Sequence, residues 1–203
     1  MARTDRQPRQ RLDPDARRSA ILDAAAESFA EHPYAEVSVS SIASRAGASD
    51  ALLYRYFAGK EGLYSELVRR GIDDLVARQA AALAAMPSGS SARDRVRAVT
   101  GVHLDRIAAH PAAWAMPLNA PGSEPAAAAA IHAQARHDAV DRLRVLLAPS
   151  AQPRHEYALS GYFGFLDAAC LRWVERGCPD RERGSLVDAA LGALEGALGD
   201  WAA

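Results

Sequence analysis

Residues 39–57 read Val-Ser-Ser-Ile-Ala-Ser-Arg-Ala-Gly-Ala-Ser-Asp-Ala-Leu-Leu-Tyr-Arg-Tyr-Phe. Val39, Ile42, Ala43 and Ala46 fall on one face of a short helix that Ser38 or Ser40 can cap. Gly47 stands where such a helix needs a left-handed residue to end on, because glycine has no Cβ to clash there. Ser49 can then cap a second short helix, with Asp50 in its first turn near the positive end of the helix dipole. Leu53 and Phe57 repeat at i, i+4 along it. Two short helices around a glycine corner are either a helix-turn-helix or an αα-hairpin inside a larger bundle.

The flanks fit the first of these. Asp13-Pro14-Asp15 opens an earlier helix, Ile21, Leu22, Ala25 and Phe29 recur at helical spacing, and His32-Pro33 stops it. Ile21, Ala25 and Phe29 can bury Val39, Ile42, Ala46 and Leu53, which leaves the second short helix held out as a rod. Gly59 breaks the rod, and a fourth helix starts near Lys60 and runs to about Met86. Residues 87–91, Pro-Ser-Gly-Ser-Ser, are loop. Beyond them lie a helix marked by Val96, Val99, Thr100, His103 and Ile107, and a short segment from Pro111 through Met116. Then come loop from Pro117 to Pro125, an alanine-rich helix over 125–148 and two more over 154–177 and 182–201. No segment alternates as a strand does, so the fold class expected is all-α.

The net charge of -1 excludes a basic nucleic-acid binder by bulk composition. The charge is unevenly placed, however. Residues 1–18 hold Arg3, Arg6, Arg9, Arg11, Arg17 and Arg18 against Asp5, Asp13 and Asp15. Residues 1–14 read as a basic arm, either a solvated tail or a strand for the minor groove. Cys170 and Cys178 stand too far apart on one helix for a disulfide, which fits a reducing cytosol. No apolar run has the length of a membrane span and no signal-peptide core is present, so a cytoplasmic protein is expected. No His-Glu-x-x-His, CxxC or phosphate-binding glycine loop occurs. No catalytic residue, metal site or cofactor is therefore expected, and a helical enzyme is the less favoured reading.

Val39-Ser-Ser-Ile-Ala-Ser-Arg-Ala-Gly-Ala-Ser49, then Leu53-Tyr-Arg-Tyr-Phe57 and Lys60-Glu-Gly-Leu63, resembles the N-terminal domain of the tetracycline-repressor (TetR) family over about residues 15–65. This chain has Ala48 where the family usually has valine, and Ala51 where it often has glycine. The resemblance implies a DNA-binding domain over 15–62 and a ligand-binding and dimerisation domain over 63–203. It implies that Ser38, Ser40 and Arg45 meet the DNA backbone, with Arg45 also within reach of a base edge. Ser49, Asp50, Ala51 and Leu52 would face the bases, with Arg55 a further reader. Tyr54 and Tyr56 would bond phosphates, although by spacing alone Tyr54 could equally be a core aromatic. Lys60, the only lysine, would clamp a phosphate at the start of the fourth helix.

In the last helix Val187, Ala190, Leu191, Leu194, Leu198 and Trp201 form one stripe, and Gly192, Gly196 and Gly199 another. In the helix before it, Tyr162, Phe165, Leu166, Ala169, Cys170 and Trp173 line one side, and Gly161, Gly164 and Ala168 crowd another. A helix-interior glycine costs about 1 kcal/mol, so the repeats suggest a close backbone, either a second copy in a two-fold bundle or a neighbour within the chain. His103, His110, Trp114, Met116, Tyr162, Phe165 and Trp173 are candidates to line a small-molecule site, the alternative for each being plain core. The function the resemblance implies is a repressor that binds a palindromic operator as a dimer and is released by a small molecule. A DNA-binding dimer controlled by a protein partner, or by nothing, is the alternative.

Overall fold

The computed structural model describes residues 13–148 and 152–199. Among them are nine α-helices and no strand: α1 (Pro14–Glu31), α2 (Val39–Arg45), α3 (Asp50–Tyr56), α4 (Gly59–Ala84), α5 (Ala92–Ala109), α6 (Pro111–Asn119), α7 (Ala126–Leu147), α8 (Pro153–Glu175) and α9 (Arg183–Leu198). One turn of 3-10 helix, Asp180–Glu182, precedes α9. The all-helical expectation holds. Arg3, Arg6, Arg9, Arg11 and Trp201 lie outside the described residues. The chain divides into two compact units between Leu67 and Val68, which puts the division inside α4 rather than at the expected 62/63.

The first unit is built on the core of Ile21, Leu22, Ala24, Ala25, Val37, Ile42, Ala43, Leu53, Phe57 and Leu63. Ile21, Ala25, Ile42, Leu53 and Leu63 are completely enclosed. Phe29, Val39 and Ala46 pack at its margin, partly buried. Three features missed by the sequence reading tie α1 to the rest of the unit. Arg18 pairs with Glu66 at 2.9 Å and lies over the Phe57 ring at 5.1 Å. Phe29, Tyr34 and Tyr64 form an aromatic cluster with centroid separations of 5.0–5.8 Å.

In the second unit α5, α8 and α9 share a core that includes Val96, Leu104, Ile107, Leu159, Leu166, Cys170, Leu191 and Leu194. Arg93–Glu195, Arg97–Asp188 (2.7 Å) and Arg183–Asp105 (2.5 Å) pair α5 with α9 around it. Thr100 donates to the Val96 carbonyl at 2.7 Å, so the Tyr162 hydroxyl, 2.8 Å away, donates to Thr100 in turn. The predicted inward stripe of α9 is buried through Leu198. Two readings need correction. The segment after Pro111 continues helically through Pro117 to Asn119, because the proline removes only one amide and Ala120 closes the last turn on the Met116 carbonyl at 3.0 Å. Phe165 does not join the inward side of α8 and is 41% exposed. It stands four residues from Gly161 and three from Ala168, which puts it on their face.

Candidate nucleic-acid interface

The corner between α2 and α3 is fixed by local hydrogen bonding. Ala48 N–H donates to the Ala43 carbonyl at 2.8 Å and Gly47 N–H to the Ser44 carbonyl at 3.1 Å, the paired bonds of a Schellman ending. The motif needs a left-handed residue, and Gly47 has φ of 59° with open space where a Cβ would be. Its glycine is therefore required by backbone angle rather than by crowding. Ser38 caps α2 by accepting from Ser41 N–H at 3.0 Å, and Ser41 Oγ accepts from Ser38 N–H at 3.3 Å in return. Ser49 caps α3 by accepting from Leu52 N–H at 3.2 Å. Each such cap is worth about 1 kcal/mol.

With Leu53 and Phe57 anchored inward, the other side of α3 is left to solvent. Ser49, Asp50, Ala51, Tyr54 and Arg55 are exposed, and Leu52 and Tyr56 are partly so. Tyr54 is 59% exposed, which removes the core-aromatic alternative for it. Arg55 leans over the Tyr56 ring at 5.9 Å and makes no ion pair among the described residues. Ser40 donates to the Asp50 carboxylate at 2.5 Å, which ties the start of α2 to the start of α3 and commits one oxygen of Asp50.

The two other cationic contact candidates, Arg45 and Lys60, also have intramolecular partners. Arg45 forms a forked pair with Glu31 (3.0 and 2.5 Å) and reaches Glu27 at 3.4 Å. The Arg45 hydrogen bonds hold the Glu31 carboxyl below its ordinary value. Exposed pairs of this kind are worth little in water, so the guanidinium can exchange a carboxylate for a phosphate. Lys60 does not start α4, which begins at Gly59, and its ammonium does not stand open. It donates to the Tyr34 carbonyl at 2.6 Å and the Val37 carbonyl at 2.8 Å, with the Ala35 carbonyl at 3.4 Å, and lies 4.2 Å from the Tyr34 ring centroid. The cation therefore satisfies the turn between α1 and α2 in place of a phosphate. Lys60→Met should cost about 1–3 kcal/mol by stranding those carbonyls, with faster amide exchange across residues 34–38. Unchanged urea unfolding and exchange would show the contacts to be idle.

The seven candidate ligand residues do not converge on one cavity. His103 meets Trp114 edge-on, 6.2 Å between centroids. Tyr162 is buried in its bond to Thr100. Met116 is partly buried. His110 is exposed, because α5 ends at Ala109 and His110 serves as the joint to α6. Trp173 is core, its indole N–H donating to the Pro179 carbonyl at 3.1 Å. Phe165 and Tyr162 alone of the seven share a groove, an outer one they line with Tyr157, Ala158, Gly161, Ala193 and Ala197. Among the described residues no group of three or more His, Cys, Asp or Glu side chains is placed to hold a metal ion. No helix there is long and apolar enough to cross a membrane.

The fold and this capped, exposed α3 define an all-helical protein with an N-terminal helix-turn-helix of the DNA-binding type. Residues 21–67 match the model of the bacterial regulatory proteins of the tetR family. The chain is 36% identical over 99 residues to the HTH-type transcriptional activator FasR of Mycolicibacterium smegmatis, covering 48% of this chain and 43% of FasR. It is 36% identical over 86 residues to the HTH-type transcriptional regulator BetI of Agrobacterium fabrum, covering 42% and 40%. It thus spans less than half the length of these curated relatives. A tetR-family regulator from Streptomyces coelicolor shares the fold with a TM-score of 0.77 at 24% identity, over 94% of this chain and 84% of that one. FadR from Bacillus subtilis, solved with stearoyl-CoA, shares it at 0.67 and 22%, over 87% and 96%. Residues 21–67 are thus similar to the DNA-binding domain of tetR-family regulators, and the chain as a whole shares the fold of the solved structures named here.

Proposed function

We propose that this chain is a ligand-responsive repressor that binds a near-palindromic operator as a homodimer and releases it when a small molecule occupies the second unit. The observation that carries the DNA half is the exposure of Ser49, Asp50, Ala51, Tyr54 and Arg55 on a helix anchored by enclosed Leu53. A rod of this kind enters a major groove, where Leu52 can touch a thymine methyl and Asp50 can accept from cytosine N4. Tyr54, Tyr56, Ser38 and Arg45 serve the phosphates, which position the rod without reading sequence.

The dimer half rests on the outer face of α8 and α9. Gly161, Gly164, Gly192 and Gly196 are exposed, and a Cβ built on any of them meets nothing within 4 Å. Contact within the chain, the alternative held open by the sequence, therefore gives no reason for these four glycines, whereas Gly199 ends α9 with φ of 86° and a Cβ there would meet Arg154 at 2.6 Å. Tyr157, 80% exposed, and Phe165 border them. An apolar, small-residue face of this kind suits close approach of a second copy. Release then follows from differential binding: a ligand preferring a DNA-incompetent arrangement shifts the population, and DNA weakens the ligand by the same factor.

The test is selection of DNA from a random pool by the purified protein, followed by gel shifts across salt. The expected result is a recovered inverted repeat whose affinity falls steeply with salt. Recovery of no sequence, or binding indifferent to salt, would refute the reading.

A further inference from the structure

The second unit holds a partly buried cation, Arg106 on α5, that makes no hydrogen bond or ion pair among the described residues. Burial pulls the guanidinium below its ordinary value, an unfavourable state that most proteins relieve with a carboxylate. Asp74 of α4 acts against this, but Asp74 is exposed and paired at 2.8 Å with Arg78, whose own charge acts with burial. The sequence makes deliberate room for this side chain. A Cβ at Gly71 would stand 2.6 Å from Arg106 Nη2, so a glycine in mid-α4 lets the guanidinium lie against the helix backbone.

One turn away on the same face of α5, His103 faces the same region. Both Arg106 and Arg136 of α7 act on it, and burial with these two cations pushes it down to about 4. It forms no hydrogen bond among the described residues, although its ring keeps some uncovered surface beside Trp114. Arg136 is already neutralised. It pairs with Asp167 of α8 and covers the Phe163 ring at 5.1 Å. With Arg78–Asp74 and Arg136–Asp167 as two closed pairs, the Arg106 charge is left over, and His103 is left with an unused N–H.

We propose that the effector of this chain carries a compact anionic group, a carboxylate or a phosphate, which Arg106 anchors with the imidazole of His103 and the Trp114 ring beside it. This rests on the ligand-responsive reading above and assigns the effector's chemical class. A guanidinium offers such an anion paired donors in a plane, and the desolvated surroundings strengthen them.

The experiment uses the full chain and three probes sharing one aromatic body: phenylacetate, phenyl phosphate and the uncharged phenylacetamide. Calorimetry and thermal shift are the readouts. The anions should bind and raise the melting temperature while the amide does not, and whichever anion binds more tightly identifies carboxylate or phosphate. Arg106→Gln should weaken anion binding at least about tenfold, in line with loss of a charged hydrogen bond. The unliganded variant should melt no lower than wild type, because an uncompensated charge has gone. Gly71→Ala pushes the guanidinium aside without removing it and should weaken anion binding in a folded protein. Equal binding of the amide, undiminished binding by Arg106→Gln, or no binding of either anion overturns the assignment. Anion binding that leaves DNA affinity unchanged supports the site and removes only the coupling proposed above. Phenylacetate or phenyl phosphate that still releases DNA from Arg106→Gln overturns the site and leaves that coupling standing.

Discussion

Replacing Leu53 by alanine should destabilise the N-terminal unit by about 3–5 kcal/mol and abolish DNA binding. Leu53 is completely enclosed, on the one face of α3 that meets the core with Ile21, Ala25 and Ile42. The unit is small and its core is short, so few neighbours can collapse into the cavity left behind. The loss would be a large fraction of the stability of an ordinary domain. It would also free the rod, since α3 has only seven residues and little helical stability of its own. Trp114, Trp173 and Trp201 all lie beyond Leu67, so tryptophan fluorescence should report an unaltered second unit. Amide exchange in α1–α3 should collapse toward the unfolded rate. A cost below about 1 kcal/mol, or retained DNA binding, would contradict the packing described.

The second large effect is a loss of stability in acid carried by His103. Its folded value is about 4, against an ordinary value of 6.5. A base with a depressed folded value is held neutral by the fold, whereas the unfolded chain takes up the proton. Its contribution is therefore fully present above about pH 6.5, declines as pH falls, and is gone below about pH 4. Each tenfold difference in proton affinity between the folded and unfolded chain is worth about 1.4 kcal/mol, so the loss across that window is about 3 kcal/mol. Asp167 acts in the opposite sense, because burial raises its value and makes its protonation easier in the fold. The comparison that isolates the histidine is the pH slope of urea stability for wild type against His103→Gln. The variant should be flatter between pH 4 and 6.5; parallel slopes would show that His103 titrates as an ordinary histidine.

Both effects depend on features of different legibility in the sequence. The glycine corner, the serine caps and the inward stripe of α9 are local, written within a few residues of where they act, and the structure returns them with small changes of boundary. Long-range features were not readable. Lys60 is held by carbonyls of residues 34, 35 and 37, more than twenty positions away, and no periodicity announces a lysine folded back on a turn. The pairing of Arg45 with Glu31 is likewise a tertiary fact. Phe165 is not placed by hydrophobicity alone, because α8 carries apolar residues on two faces, one for the chain's own core and one exposed beside the glycines. His110 is a ligand-lining candidate only if the helix of His103 continues through it, and α5 stops at Ala109. Arg106 and Arg136, which dominate the electrostatics around His103, do not stand out among many arginines in the sequence, since only the fold reveals which charges are cancelled.

The regulatory role proposed for this chain depends on two copies of α3 reading DNA from one side of the duplex. Hydroxyl-radical footprinting on the DNA that the protein selects is the most direct measurement of it. Two protected patches, related by two-fold symmetry and centred about one helical turn or a multiple of it apart, are the predicted result. A single patch, or uniform protection without a boundary, would contradict it.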